Sequence, residues 1–287
     1  MNILIIGGAG FIGSNLIKIL YKNNKIISLD NYSSGSVNNH ILSENITYLN
    51  GNSWDILNIQ ELIHYNPSIV YHLGEYSRIA QSFEEPSKVF HSNIYGTQQI
   101  LEYCVKNNTK LIYSGSSAIF GENADKLSPY AFTKSKNIEL IKNYSEWYGL
   151  NYCITYFFNV YGSGQITKGN YATVIGIFEE QYKNNESLTV VKPGTQTRFF
   201  THIDDIIKGI LLVSEKGNGD GYMLGTQEEI SIFDIVKMFD TEDYILLPER
   251  KGERYNSKMI SNKVYDELGW FPIIKLSDYI NGLKKKI

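Results

Sequence analysis

The sequence predicts an α/β fold, a doubly wound parallel sheet with a smaller, discontinuous C-terminal lobe, on three observations. Short β-branched runs alternate with longer helical patterns through the first half of the chain, as βαβ units require. A glycine-rich turn, Gly7-Gly8-Ala9-Gly10-Phe11-Ile12-Gly13, follows the first such run and opens a helical stretch. The length of 287 residues, with 43% apolar side chains, suffices for one large domain or two small ones.

The elements follow in order. Strands are expected over Asn2 to Ile6, Ile26 to Asp30, Ile46 to Leu49, Ile69 to Leu73, Lys110 to Ser114 and Tyr152 to Phe158. Helices are expected over Phe11 to Tyr21, Ile56 to Tyr65, Pro86 to Lys106 and Pro129 to Tyr148. The last begins Ser128-Pro129, an N-cap residue followed by proline at the first helical position, where a missing N–H costs nothing. Beyond Gly162 the alternation weakens, and Gly, Lys, Asn and Thr become frequent through Gly194. The expected division is a dinucleotide-binding domain of residues 1–161 and 199–224, with a substrate-binding lobe of residues 162–198 and 225–287.

Composition excludes several classes. With 27 basic and 30 acidic side chains the net charge is -3, lacking the basic excess of a nucleic-acid or membrane-surface footprint. Cys104 and Cys153 make neither a disulfide framework nor a metal site. The apolar run from Ile3 to Ile6 is too short to span a bilayer and has no signal-peptide flanks, so a cytoplasmic protein is expected. Of the 27 basic residues only four are arginine: Arg78, Arg198, Arg250 and Arg254. Where lysine replaces arginine so widely, each remaining arginine is a candidate for a position that needs the planar, bidentate fork.

The glycine turn carries the first chemistry. Glycines permit a tight turn and a close backbone approach to a pyrophosphate, while the helix N-terminus offers N–H donors and a positive dipole. This is the Rossmann arrangement. Asp30 ends the second strand 20 residues after Gly10, where a carboxylate accepts both adenosine ribose hydroxyls and repels the extra phosphate of NADP. The expected cofactor is therefore NAD.

Tyr130 and Lys134, at i and i+4 near the start of the Ser128-capped helix, share one face. A phenol titrating near pH 10 is a poor base at neutral pH, and an adjacent ammonium lowers it. Such a tyrosine can take a proton from a sugar hydroxyl while the carbon is oxidised by NAD. Ser116 lies at the end of an upstream strand, where ligands bind in parallel sheets, and is placed to donate to the reacting oxygen. Ser114 and Ser117 are its rivals.

With these residues in hand, the chain resembles the extended short-chain dehydrogenase/reductase superfamily and, within it, the NAD-dependent nucleotide-sugar epimerases of the UDP-glucose 4-epimerase type. The likeness covers nearly the whole chain. Besides the motifs above it includes Tyr71-His72-Leu73, Asn93-Ile94-Tyr95-Gly96-Thr97, Asn159-Val160-Tyr161-Gly162, Arg198 to Asp205 and Arg250 to Glu253. The resemblance implies Ser116, Tyr130 and Lys134 as catalytic residues, with Lys134 also holding the nicotinamide ribose. It implies cofactor contacts at Gly7, Gly10, Phe11, Ile12 and Gly13, at Asp30, Asn31 and Asn52 near adenosine, and at Leu73 and Gly74 beside nicotinamide. Asn93, the helix asparagine near the active centre, is grouped with them. Asn159 is implied as a contact of the diphosphate or hexose, Arg198 and Arg250 as the pair gripping the diphosphate, and Glu253 as a contact of the nucleotide ribose. A homodimer through a four-helix bundle of Pro86 to Lys106 and Pro129 to Tyr148 is implied as well.

Departures from the pattern sharpen the expectation. Relatives that dehydrate the sugar carry Asp-Glu after the catalytic hydroxyl residue, whereas this chain has Ser117-Ala118, which disfavours a 4,6-dehydratase. Asn52 and Ser53 replace the usual Asp and Ile, and Phe199 replaces the common Asp after Arg198. In Gly74-Glu75-Tyr76-Ser77-Arg78 two charged residues stand where small ones are usual. Either Glu75 and Arg78 pair as scaffold, or Arg78 touches the sugar or diphosphate. His72 and His202 are expected to be structural, Cys104 packed and Arg254 exposed. The expected function is an NAD-dependent nucleotide-sugar 4-epimerase working through a transient 4-keto sugar, with no metal. The alternatives are a net C4 dehydrogenase or 4-keto reductase of a nucleotide-linked hexose or heptose and, more remotely, a non-catalytic dinucleotide-binding protein.

Overall fold

The computed structural model describes residues 1–120, 126–252 and 258–286. The chain runs β1 (Asn2–Ile6), α1 (Phe11–Leu20), β2 (Lys25–Asp30), β3 (Ile46–Asn50), β4 (Ile69–His72), α2 (Ile79–Ser82), α3 (Pro86–Phe90), α4 (Gly96–Lys106), β5 (Lys110–Ser116), α5 (Pro129–Tyr148) and β6 (Tyr152–Phe157). It continues through β7 (Val160–Tyr161), α6 (Val174–Lys183), β8 (Leu188–Val191), β9 (Thr197–Arg198), β10 (Thr201–His202), α7 (Ile203–Lys216) and β11 (Gly219–Leu224). The last elements are β12 (Ile230–Ser231), α8 (Ile232–Met238), β13 (Tyr244–Leu247), α9 (Lys263–Leu268) and α10 (Leu276–Lys284).

Seven strands form one sheet in the order β11-β6-β5-β4-β1-β2-β3, and every pair in it is parallel. From β1 the chain steps outward to β2 and β3, then returns to β4 on the opposite side. Strand order therefore reverses between β1 and β4, and a crevice opens beyond their C-terminal ends, where ligands bind in such sheets.

The strands are apolar on both faces because helices cover both. Alternation along β1 sends Leu4 and Ile6 into one cluster with Ile100, Leu101 and Ile141 of α4 and α5. Ile3 and Ile5 enter another with Leu16 and Ile17 of α1 and Ile206 and Ile210 of α7. A third core, including Phe178, Val190, Phe200, Ile235, Phe239 and Ile280, lies among α6, β8, α8 and α10.

Two expected helices take other forms. Ile56 to Tyr65 is two short 3₁₀ turns, Ser53–Asn58 and Gln60–Leu62. Polar residues at the start of the segment bond locally, Asn52 Nδ2 donating to Asp55 at 3.1 Å, and compete with a continuous helix. Ile56 and Leu62 are nonetheless fully buried, so the apolar spacing reported burial and not helix type. Pro86 to Lys106 is interrupted by a π-turn at His91–Tyr95 between α3 and α4. Within that turn sits Asn93, whose side chain accepts from Tyr76 N at 2.8 Å and donates to Tyr76 O and Thr133 Oγ1.

The chain after β11 is tied back to α7 through Asp205, which is 1% exposed. Its Oδ2 accepts from the backbone N–H of Ile273 and Ile274, each at 2.9 Å, and its carbonyl accepts from Trp270 Nε1 at 3.1 Å. Asp205→Ala removes the acceptor of two N–H groups and is expected to lower unfolding free energy by about 2–4 kcal/mol, measured by urea denaturation.

Candidate active site

A cavity of about 510 Å³ opens over the C-terminal ends of β1, β4, β5 and β6. The glycine loop forms one end. Gly7 has φ +83°, and a Cβ there would stand 2.6 Å from Gly74 Cα, so the chain ends leaving β1 and β4 meet without room for a side chain. A Cβ on Gly13 would stand 2.2 Å from Gly7 O, so α1 packs directly on the loop. Gly10 caps α1 without any side-chain acceptor, leaving the first-turn N–H groups without side-chain partners at the cavity wall. This bare backbone cradle fits a pyrophosphate.

Asp30 lines the same end. Its Oδ2 accepts from Ala9 N at 2.9 Å and its Oδ1 from Tyr32 N at 2.8 Å, so it braces the glycine loop besides facing the cavity. Burial raises its pKa, and the N–H donors of Tyr32 and Ala9 work against that rise. Asn31 also lines the cavity and donates to Asn52 Oδ1 at 3.0 Å. Asn52, expected among the cofactor contacts, is outside the lining.

Ser128 Oγ accepts from Ala131 N at 3.1 Å and fixes the first turn of α5, which brings Tyr130 and Lys134 to the cavity. Ser116, at the end of β5, accepts from Ala118 N at 3.1 Å through its Oγ, which leaves its O–H able to donate. Ser114 Oγ is committed to His72 O at 2.8 Å, which removes one of its rivals. Ser117 is buried in the turn that follows β5.

Glu75 does not pair with Arg78, contrary to one of the two expectations for this loop. Its carboxylate, 2% exposed, forms an ion pair with Lys134 Nζ. It also accepts from Asn137 Nδ2 at 2.8 Å, Thr97 Oγ1 at 2.5 Å and Tyr113 OH at 3.0 Å, with His72 Nε2 at 3.4 Å. Lys134 donates in addition to Ser114 O at 2.6 Å and lies 4.8 Å from the Tyr113 ring centroid. Burial pushes the Glu75 carboxyl up, but Lys134 and His72 outweigh it and hold it at about 2. Sequence reasoning missed Asn137 and Tyr113. The signal for Asn137 was its place three residues beyond Lys134 on the buried face of α5.

Arg78 instead donates to Ser77 O at 3.0 Å and to Tyr171 O, with its guanidinium 5.6 Å from the Tyr171 ring centroid. It lines the cavity together with Leu73, Gly74, Asn159, Arg198 and Arg250. Asn159 has φ +34° and donates to Phe199 O at 2.9 Å. Arg198 donates to Thr197 O at 2.7 Å. Phe199 is a core residue packed edge-on against Phe158, which accounts for an apolar side chain after Arg198. Asn93 is fully buried behind the cavity, with its side-chain oxygen and nitrogen both engaged by protein groups, and is not part of the lining. Glu253 and Arg254 lie outside the described residues.

His72 is buried and bonded to Thr97 Oγ1 at 2.9 Å. His202 caps α7 by accepting from Asp204 N at 3.2 Å, and Cys104 is fully buried. Among the described residues no cluster of His, Cys, Asp or Glu could hold a metal ion, and no helix is long and apolar enough to cross a membrane.

Comparison with known proteins adds to this geometry. The model of the NAD dependent epimerase/dehydratase family matches residues 3–225. A Methanocaldococcus jannaschii protein provisionally named a UDP-glucose 4-epimerase is 33% identical, over 99% of this chain and 97% of its own length. A UDP-glucose 4-epimerase from Thermotoga maritima, crystallised with UDP-glucose, superposes with a TM-score of 0.91 at 29% identity, covering 100% of this chain and 99% of that one. A UDP-glucuronic acid 4-epimerase from Bacillus cereus, crystallised with UDP-glucuronic acid and NAD, gives 0.88 at 27% identity over 100% of both chains.

The depressed Glu75 pKa predicts an acid-labile fold. A carboxyl lowered by folding stabilises the native state above its unfolded value of about 4.5, and this contribution, about 3 kcal/mol, is lost as pH falls toward 2. Urea unfolding followed from pH 6 down to the acid limit should show this loss, and Glu75→Gln should take up about one proton fewer on unfolding than the parent protein.

Proposed function

Since the chain belongs to the NAD dependent epimerase/dehydratase family, we propose that it is a nucleotide-sugar 4-epimerase that uses NAD as its cofactor. The observation carrying the proposal is the wall after Ser116. Ser117 and Ala118 are 5% and 3% exposed and supply no acid at the two positions where dehydrating relatives place one. Glu75, the carboxylate that lines this part of the cavity, is consumed by Lys134 and its hydrogen-bond donors. Without an acid at those two positions the loss of water that defines a dehydratase has no donor there, which favours reversible oxidation at C4 over dehydration.

NAD supplies that two-electron oxidation and its reversal. The protein supplies the rest. Tyr130 Oη removes the C4 hydroxyl proton and returns it, Ser116 O–H donates to the same oxygen, and Lys134 holds positive charge beneath them. The glycine cradle, Asp30 and Asn31 take the dinucleotide, while Arg198 and Arg250 hold the substrate diphosphate in bidentate grips. Inversion requires the 4-keto sugar to turn over before the oxidation reverses, and a cavity of about 510 Å³ shared with the dinucleotide confines it. UDP-sugars are the first substrates to test, because the relatives above are named for them. Exposed aromatic rings on the segments Pro86 to Lys106 and Pro129 to Tyr148, among them the neighbouring Phe90 and Phe132, support a homodimer through these helices.

Mass spectrometry and sugar analysis of the products from UDP-hexoses, UDP-N-acetylhexosamines and UDP-hexuronic acids test the proposal. The expected product has unchanged mass and inverted C4, with no accumulation of NADH. Loss of water or of carbon dioxide, or a 4-keto product with persistent NADH, contradicts it. Tyr130→Phe should lower kcat by about a hundred- to ten-thousand-fold with KM changed no more than a few-fold.

A further inference from the structure

A dinucleotide with its pyrophosphate on the N-terminus of α1 and its adenosine ribose on Asp30 lays its base over the next strand outward, β3. The strand register fixes what stands there. Asp30 pairs with Asn50 across β2 and β3, and Gly51 N donates to Asp30 O at 3.1 Å, so the turn that follows β3 lies against the Asp30 end of the cavity. In that turn Asn52, the residue expected at the adenine, is directed to its neighbours. Its Nδ2 donates to Asp55 Oδ2 at 3.1 Å, and its Oδ1 accepts from Asn31 Nδ2 at 3.0 Å. Asn31 Oδ1 accepts in turn from Ser33 N at 3.1 Å. Both carboxamides are thus engaged by protein groups.

Next in the same turn, Trp54 lines the cavity together with Asp30, Gly51 and Ser53. Its side chain is half-buried. A Cβ on Gly96, at the start of α4, would stand 2.3 Å from Ser53 Oγ, so the turn packs directly on that helix. The His91 ring, in the π-turn ahead of α4, lies 4.5 Å from the Trp54 ring between centroids, with the planes at 65°, and Tyr95 backs His91 at 5.3 Å. Aromatic contacts from the π-turn therefore hold the indole while it still forms part of the cavity wall. A flat apolar ring suits a purine, since contact between two π-faces needs no hydrogen-bond partner on the base edge.

We propose that Trp54 recognises the adenine of NAD in this chain, an aromatic contact that takes the place of the polar one expected from Asn52. Base recognition shifts two residues along the turn and changes from a hydrogen bond to ring contact. His91 is a positioning residue that holds the indole at the wall. The inference rests on the glycine cradle and Asp30 taking the dinucleotide, and it is independent of the reaction performed at the other end of the cavity.

Calorimetric titration of the full-length protein, freed of bound nucleotide, with NAD, AMP and nicotinamide mononucleotide tests it. Trp54→Leu should weaken NAD and AMP about ten-fold and Trp54→Phe no more than about three-fold, while nicotinamide mononucleotide should change by less than about two-fold in either. AMP should also quench tryptophan emission in the parent, and the quenching should disappear in Trp54→Phe. Trp54→Leu binding AMP as tightly as the parent overturns the proposal. Equal weakening of AMP and nicotinamide mononucleotide overturns it too, because the tryptophan would then only shape the fold. Should the Trp54 variants fail to fold, Trp147→Phe decides the matter: Trp147 is exposed on α5, and without it only Trp54 and the buried Trp270 emit. Emission of that variant unchanged at saturating AMP overturns the proposal. Failure of the parent to bind NAD and AMP at all would instead refute the reading of the glycine cradle, and the absence of C4 epimerisation leaves every one of these affinities unaffected.

Discussion

A carboxylate buried against an ammonium beneath the cavity is the constraint on which the site depends. Each charge alone would be prohibitive to bury, and the pair is tolerable only when the remaining lone pairs and protons are met. Glu75 meets that condition with donors from three elements, and Lys134 with Ser114 O and the Tyr113 ring. The end of β4, the strand β5 and the helices α4 and α5 are therefore fixed relative to one another by one polar knot. Tyr130 and Ser116 inherit their positions from it, because both belong to elements the knot joins.

The second constraint is steric and lies at the opposite end of the cavity. Where β1 and β4 part, Gly7 and Gly74 touch, and Gly13 rests on Gly7. These contacts bring the N-terminus of α1 to the crevice and hold Asp30 beside it. The glycine-loop end of the cavity is thus made of backbone in close contact and the α5 end of buried charge, with the remaining wall completed by residues after β6.

Much of this was legible in the sequence. The six early strands, the cap at Ser128, the glycine turn and the Tyr130, Lys134 and Ser116 group rest on local rules of spacing and conformation, and they stand where those rules put them. The segment from Ile56 to Tyr65 was misread because apolar spacing reports which residues are buried, and a 3₁₀ turn can bury the same pair. Glu75 was seen as unusual, yet its partner was sought three residues away. The true partner is 59 positions along the chain, on a helix that only the sheet topology brings near. Asn93 carries a family motif, but its hydrogen bonds go to Tyr76 and Thr133, contacts made by the π-turn and invisible to sequence pattern.

Whether the buried pair organises the site is decided most directly by a double-mutant cycle on global stability, with Glu75→Gln, Lys134→Met and the combined variant unfolded in urea at neutral pH. The structure requires a coupling energy of about 2 kcal/mol or more, with the double variant more stable than the sum of the single losses implies. Additive losses, agreeing within about 0.5 kcal/mol, would contradict the account.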